Sequence, residues 1–188
     1  MTFIHLRNHT EYSLCLGAIK LKKMIGKAKE FAMPAVAITD TGNLYGALEY
    51  SVAAKKDGIQ PIIGCELLLN APGYPTIDKN SQLEKTSPYA LERGLTKIVL
   101  IAKTDEGYLN LIALSSKSFL DRKNNLTPHI DFDFLKEKSK GLICLTGGPE
   151  GLVGRLLLNN EIEKAETALL ELRDIFGDNL YIELLRHG

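Results

Sequence analysis

The chain has 188 residues, of which 45% are hydrophobic and 24% charged, a balance typical of one globular domain with its own core. Basic and acidic residues number 23 each, which excludes a protein drawn to nucleic acid or to a membrane by its overall charge. The three cysteines (Cys15, Cys65 and Cys144) form no CxxC pair, so we expect free thiols in a reducing, cytoplasmic compartment. No apolar run reaches the roughly 18 residues of a membrane helix, so no membrane partner is expected.

The first predicted element is a strand in FIHLRNHTEYS, Phe3 to Ser13. Side chains alternate between the two faces of a strand, so the alternation predicts that His5, Arg7 and His9 share one face. Two histidines around an arginine allow three interpretations: a working catalytic strand, one that has lost its site, or an ordinary solvated edge.

Helices and buried strands alternate along the rest of the chain. Periodicity predicts helices over 19–32, 44–57, 106–119 and 162–176, and strands over 35–38, 59–69 (with a break near Pro61), 97–102, 141–148 and 180–185. Residues 70–94 contain Pro72, Pro75 and Pro88 and little periodicity, which predicts a surface insertion. The alternation predicts an α/β fold with a mostly parallel sheet, and in a barrel the strand ends commonly line a site.

Three side chains near predicted strand ends are candidate metal ligands: His9, Asp40 and Glu66. Imidazole and carboxylate groups suit a divalent metal such as zinc or manganese. Arg7 cannot ligate, because its guanidinium stays protonated and has no free acceptor. The alternative is a structural role, in which Asp40 fixes a turn or caps a helix and Glu66 pairs with Arg7. The residues alone leave both interpretations open.

Other polar motifs carry weaker signals. The glycine-rich TGGPEG, Thr146 to Gly151, precedes a helix and could hold a phosphate, but its spacing matches neither the P-loop nor the Rossmann fingerprint and favours a plain turn. His129 and His187 lie in other regions of the chain. The lysine pairs at 22–23 and 55–56 are typical of solvated helix faces.

Four motifs in order carry a family resemblance: FIHLRNHTEYSL, AMPAVAITDTGNLYGALEYSVAAKKDGIQPIIGCEL, IVLIAKTDEGYLNLIALSSKSFL and GLICLTGG. With them the chain resembles, from Phe3 to Gly188, the N-terminal PHP (polymerase and histidinol phosphatase) domain of the alpha subunit of bacterial DNA polymerase III. Only the 70–94 insertion departs from the resemblance. The resemblance implies a distorted βα barrel of about seven strands, similar to a TIM barrel. Active members bind three zinc or manganese ions in a cleft at the strand ends and act as 3′–5′ exonucleases.

Laid onto this chain, the family's ligand pattern is mostly replaced. The His-x-His falls on Arg7 and His9, the aspartate on Leu16, the histidine after the retained Asp40 on Thr41, the glutamate on Glu66, the strand histidine on Lys97 and the cysteine on Gly148. Only His9 and Glu66 keep ligand side chains. We therefore expect a remnant metal site, no cofactor in this chain, and an Arg7 contact to Glu66 or Asp40, with Lys97 as a second neutralising cation.

The family's late Asp-x-His would lie beyond Gly188, so we expect residues 1–188 to be a single PHP domain that is incomplete at its C-terminus. The resemblance implies a part of a DNA-directed DNA polymerase, a nucleotidyltransferase of DNA replication, whose catalytic aspartates and Mg²⁺ lie in a palm domain absent here.

We expect this chain to be a catalytically inactive structural and docking module for the polymerase core and for the epsilon exonuclease subunit. It would meet DNA through the full-length polymerase. The alternatives are a residual metal-dependent 3′–5′ exonuclease or phosphoesterase, and a pyrophosphatase remnant in the same cleft.

Overall fold

The computed structural model describes residues 3–71, 73–74, 95–120 and 127–184. The helices are α1 Leu21–Glu30, α2 Ala47–Lys56, α3 Asp105–Leu120, α4 Phe132–Glu137, α5 Leu152–Leu158 and α6 Ile162–Phe176. The strands are β1 Ala35–Thr41, β2 Gln60–Asn70, β3 Leu95–Ala102, β4 Ile130–Asp131, β5 Leu142–Leu145 and β6 Leu180–Tyr181. The short elements α4, α5 and β4 were not predicted, and most of the predicted 70–94 insertion lies outside the described residues. Across the described ranges, no helix has the length and apolar character needed to cross a membrane.

The strands form one mixed sheet in the order β1-β2-β3-β5-β6, with β4 paired to the end of β2. Strand β3 is antiparallel to both of its neighbours, while the β1–β2, β2–β4 and β5–β6 pairs are parallel. The predicted mostly parallel sheet is therefore corrected to a mixed one. The sequence could not show strand direction, because a strand buried on both faces has the same continuous apolar pattern in a parallel and in an antiparallel pair.

The predicted break at Pro61 is absent, because β2 runs through it and pairs Pro61 with Val36 of β1. The backbone N–H of Gln60 donates to Pro34 in the chain before β1, so the nitrogen of Pro61 faces away from β1. On that far side β3 begins to pair only at Gly64. The missing N–H of proline therefore costs the sheet no hydrogen bond.

The N-terminal segment, residues 3–9, runs beside β1 but is irregular, so the predicted strand is corrected. Ala37 N donates to His5 O at 2.9 Å and Thr39 N donates to Asn8 O at 2.9 Å. Three residues of the segment thus advance against two of β1, a bulge-like irregularity that breaks the alternation of faces. His5 is consequently exposed, with its ring edge-on to Phe3, and does not share a face with Arg7 and His9.

The two faces of the sheet are buried in different ways. On the outer face, Cys65, Leu67 and Leu69 of β2 pack in one core cluster with residues of α3, α4 and α6. On the inner face, a second cluster joins Val99 and Ile101 of β3 to residues of β2 and β5, without a helix residue among its described members. Val99 and Ile101 are nevertheless 0% and 3% exposed. A sheet that buries its helix-free face must curl over it.

A contact between the two ends of the described chain measures that curl. Five strand spacings separate the N-terminal segment from β6, a distance of about 24 Å in a flat sheet. Arg7 Nη1 nevertheless lies 3.0 Å from Glu183 Oε1, two residues after β6. The sheet therefore bends into an open, distorted barrel with the helices outside and the inner apolar cluster within.

Candidate functional site

Glu66 lies on the inner face of β2, and its side chain is 1% exposed. Arg7 Nη2 donates to Glu66 Oε2 at 2.6 Å, while Lys97 Nζ lies 3.3 Å from Oε1. Thr41 Oγ1 donates to Oε1 at 3.4 Å. The predicted contact of Arg7 to one of the two carboxylates is confirmed, and its partner is Glu66.

Sheet register explains why these groups meet. Thr41, the last residue of β1, is paired with Glu66, and Glu66 is paired with Val99 of β3. Lys97 precedes Val99 by two residues and therefore points to the same inner face. The register of β2 and β3 therefore brings the Glu66 carboxylate and the Lys97 ammonium group together, and no loop residue is needed for this contact.

The surroundings of Glu66 favour its charged form. Burial by itself raises the pKa of this carboxyl, but the adjacent His9 ring and the charges of Lys97 and Arg7 oppose it and lower the pKa to about 2. Burial also disfavours the charged form of Arg7 and so lowers its pKa, but the carboxylates of Glu66 and Glu183 outweigh burial, and the pKa of Arg7 is raised overall. The pair is held ionised in the barrel interior.

His9 is the second retained ligand position. Its Nε2 lies 3.2 Å from Glu66 Oε2, yet the ring is not aligned for a hydrogen bond and Nε2 is buried with no hydrogen-bond partner. The His9–Glu66 pair is therefore a close polar contact rather than a formed hydrogen bond. Buried polar atoms are rarely left without a hydrogen-bond partner.

Two further carboxylates in the cluster were missed by the sequence reasoning. Glu183 accepts from Arg7 Nη1 at 3.0 and 3.1 Å, and Glu150 Oε2 lies 2.8 Å from Lys97 Nζ. Glu150 was visible inside TGGPEG, but that motif was interpreted as a phosphate loop or a plain turn and its glutamate was not considered. Glu183 follows β6, and its distance along the chain gave no signal. We call Arg7, Glu66, Lys97, Glu150 and Glu183 the charge cluster.

The residues present do not fit the family's metal centre. Across the residues that the structure describes, no group of three or more His, Cys, Asp or Glu side chains is placed to hold a metal ion. Glu66 is instead contacted by two cations, which would repel a divalent ion. The two retained ligand positions, His9 and Glu66, have ligand atoms 3.2 Å apart.

Asp40, one of the candidate ligands, stands apart from the charge cluster and has other partners. Its carboxylate is buried and accepts from Thr10 N at 2.6 Å, from Thr10 Oγ1 at 2.7 Å and from Ser13 Oγ. Asp40 therefore fixes the turn that follows the N-terminal segment, which was the structural alternative.

The remaining replaced positions are near the cluster. Leu16 lines a cleft of about 530 Å³ together with Thr41, Glu66 and Lys97. Gly148 begins a short 3-10 turn, Gly148–Glu150, that carries Glu150 towards Lys97. Leu16, Thr41 and Lys97 therefore share one cleft, and Gly148 reaches it only through the contact of Glu150 with Lys97.

The TGGPEG motif forms a tightly packed turn. Gly147 has φ +81°, and a Cβ on Gly151 would lie 1.7 Å from Thr146 O. These glycines allow backbone segments to approach, as a plain turn requires. Of the other histidines, His129 Nδ1 lies 2.8 Å from Thr127 O, and His187 lies outside the described residues.

These features define an α/β barrel whose inner cleft lies beside a cluster of opposed charges. The chain belongs to the PHP domain family, because the model of that family matches residues 5–187. It is 41% identical over 186 residues to the DNA polymerase III subunit alpha of Borreliella burgdorferi and 41% identical over 187 residues to that of Caulobacter vibrioides. These matches cover 99% of this chain and 15% of each relative, so the chain spans only that share of their length.

Likeness to solved structures is weaker. A protein from Bifidobacterium adolescentis superposes with a TM-score of 0.47 at 13% identity, covering 95% of this chain and 84% of the other. A likeness of that size bears on neither fold nor function.

Proposed function

We propose that this chain is the N-terminal PHP domain of a replicative DNA polymerase III alpha subunit, and that it serves as a structural and docking module with a degenerate metal site. The names of its relatives support the polymerase context. The proposal of an inactive site depends on Arg7, whose guanidinium lies 2.6 Å from the retained Glu66. DNA synthesis would belong to other parts of the polymerase, and the compartment would be the cytoplasm.

The charge cluster can take over the structural part of a metal's role. A buried carboxylate is unstable unless positive charge is placed beside it, and Arg7 and Lys97 provide that charge. Through Arg7 and Lys97 the cluster joins the N-terminal segment, β2, β3, the Gly148–Glu150 turn and the segment after β6. Metal ions in the active members would tie the same strand ends together.

The partner we propose is the epsilon exonuclease subunit, since a polymerase whose PHP domain has lost its nuclease centre needs proofreading from another chain. Large apolar side chains stand at the mouth of the cleft: Leu14 is 76% exposed, Tyr45 75% and Phe119 45%. Exposed apolar groups gathered on one surface are typical of a protein-binding site. The polar groups of Asn43 and Ser118 in the same cleft are already hydrogen-bonded within the chain.

A residual metal-dependent exonuclease or phosphoesterase is the second candidate. His9 Nε2 lacks a hydrogen-bond partner and stands 3.2 Å from Glu66 Oε2, so the two could share one ion if Arg7 moved away. Two protein ligands are fewer than metal sites of this kind ordinarily use.

Metal content separates these candidates. The alpha chain would be purified without chelator or affinity histidines, and zinc, manganese and iron counted per chain. We expect less than about a tenth of an atom in the PHP domain. About one atom per chain that disappears in His9→Gln but persists in the matched control His5→Gln would overturn the inactive site. Nuclease assays on single-stranded DNA with His9→Gln and Glu66→Gln would then identify the activity.

Docking is tested by binding of purified epsilon. Replacing Leu14 or Phe119 with aspartate places a charge in the apolar cleft and should weaken binding at least tenfold, equivalent to about 1.4 kcal/mol. Leu170, which is 49% exposed on α6, provides the control through Leu170→Asp. If the cleft variants bind epsilon as tightly as the parent chain, the docking surface is not this cleft. If the parent chain itself does not bind epsilon, the proposed partner is wrong.

A further inference from the structure

Helices α1 and α2 carry a basic face on a chain whose total charge is zero. Residues 20–57 contain seven lysines and four acids, one of which is the buried Asp40, while the rest of the chain holds 16 basic and 19 acidic residues. The lysines are all exposed: Lys20, Lys22, Lys23, Lys27, Lys29, Lys55 and Lys56. We call this set, with Phe31, the α1–α2 face.

The two helices lie side by side in the same direction. Near their first turns, a Cβ on Gly46 would lie 3.6 Å from Leu21 Cδ1. At their other ends, Lys29 Nζ in the last turn of α1 lies 3.2 Å from Oδ1 of Asp57, the residue after α2. Their buried sides share one core cluster. The lysines therefore belong to one continuous surface, about 15 Å long by the rise of the ten-residue α1.

Most of this positive charge is uncompensated. Lys20, Lys22, Lys23, Lys55 and Lys56 have no ion pair with any carboxylate in the described ranges. Lys27 and Lys29 pair with Glu30 and Asp57, but both pairs are exposed. Exposed pairs contribute little stability, so a stronger anion can replace the carboxylate.

An aromatic side chain stands among these lysines. Phe31, which follows α1, is 61% exposed, and Lys27 Nζ lies 5.4 Å from the centre of its ring. A ring left in solvent beside cationic groups is the arrangement with which proteins bind single strands: lysines contact phosphates and the ring stacks on a base. Residues 20–57 contain no arginine, so the face lacks the fork that reads guanine edges.

We propose that the α1–α2 face binds single-stranded nucleic acid without sequence preference, through phosphate contacts of its lysines and stacking of a base on Phe31. This binding is independent of the charge cluster and of the proposed partner. It replaces the interpretation of the lysine pairs at 22–23 and 55–56 as merely solvated.

The test is fluorescence anisotropy of a labelled oligothymidylate of about 16 nucleotides against salt concentration. If the five unpaired lysines contact phosphates, the logarithm of affinity should fall with the logarithm of salt concentration with a slope of about −3.5. The double variant Lys22→Glu with Lys23→Glu should reduce that slope by about 1.4. Both positions lie in the first turn of α1, where acidic residues favour the helix, so the variant should fold.

Two matched variants make the result specific. Lys136→Glu with Lys140→Glu gives the same change in net charge at exposed positions off the face, and should bind like the parent chain. Phe31→Ala should lower affinity about tenfold and leave the salt slope unchanged. Circular dichroism would confirm that every variant is folded.

Three outcomes would overturn the proposal. The first is equal binding by the Lys22, Lys23 variant and its control. The second combines two observations: Phe31→Ala binds with the affinity of the parent chain, and a polyglutamate peptide displaces the labelled oligonucleotide as well as unlabelled oligonucleotide does. That result would assign the face to acidic proteins. The third is a clear preference for duplex, which would exclude stacking on Phe31. None of these outcomes affects the metal or epsilon experiments.

Discussion

Arg7 Nη1 lies 3.0 and 3.1 Å from the two carboxylate oxygens of Glu183, although 176 positions separate these residues in the sequence. The same guanidinium donates to Glu66 on β2 through Nη2. Arg7 thus joins the two edges of a curled sheet to its middle. The arginine that replaces a metal ligand at this position also holds the two edges of the curled sheet together.

Arg7→Ala should destabilise the chain by about 3 kcal/mol, because it leaves the buried Glu66 short of a partner and releases Glu183. Urea unfolding measures the change. Lys27→Ala removes an exposed ion pair with Glu30 and should cost less than about 0.5 kcal/mol. Equal costs for the two variants would mean that the cluster contributes no more than a surface pair.

Stability should fall with acid in a window set by Glu66. Its pKa is lowered to about 2 in the folded chain from 4.5, so its contribution is complete above about pH 4.5 and is lost as pH falls through about 2. The shift corresponds to about 3 kcal/mol. Unfolding of the parent chain and of Glu66→Gln, compared between pH 2 and 6, isolates this group. The difference in stability between the two chains should shrink towards pH 2, and a difference independent of pH would contradict an ionised Glu66.

The closure of the barrel can be tested at its inner face. Ile101 is 3% exposed in the helix-free cluster, so Ile101→Ala should cost about 3 kcal/mol by leaving a cavity. Ile182 is 62% exposed, and Ile182→Ala should cost less than about 0.5 kcal/mol. A small cost at Ile101 would indicate an open sheet whose inner face meets water.

Two glycines should respond in opposite directions to alanine. Gly26 lies inside α1 with nothing within 4 Å of a built Cβ, so Gly26→Ala should stabilise the chain by about 1 kcal/mol. At Gly151 the same Cβ would lie 1.7 Å from Thr146 O, and Gly151→Ala should cost about 2 kcal/mol or more. Thermal unfolding compares them directly. A neutral Gly151→Ala would show that the turn bearing Glu150 is not tightly held.

Local patterns in the sequence were enough for most elements. The predicted helix 162–176 has the observed bounds of α6, and 19–32 contains α1, because amphipathic spacing reports which side of a helix is buried. Short α4 and α5 were missed, since one or two turns carry too little periodicity to detect. The N-terminal strand was wrong because one extra residue against β1 shifts the alternation, and nothing local marks that residue.

The candidate site divides in the same way. The sequence by itself determined the unusual residue types, an arginine and a lysine at ligand positions beside a retained glutamate, and from them a contact of Arg7 with either Glu66 or Asp40. The choice of Glu66 came from the structure. Only the tertiary structure decided that Asp40 belongs to a turn and that Glu150 and Glu183 complete the cluster. The physical reason is that a buried charge selects its partners by distance across the curled sheet, and separation along the chain carries no trace of that distance.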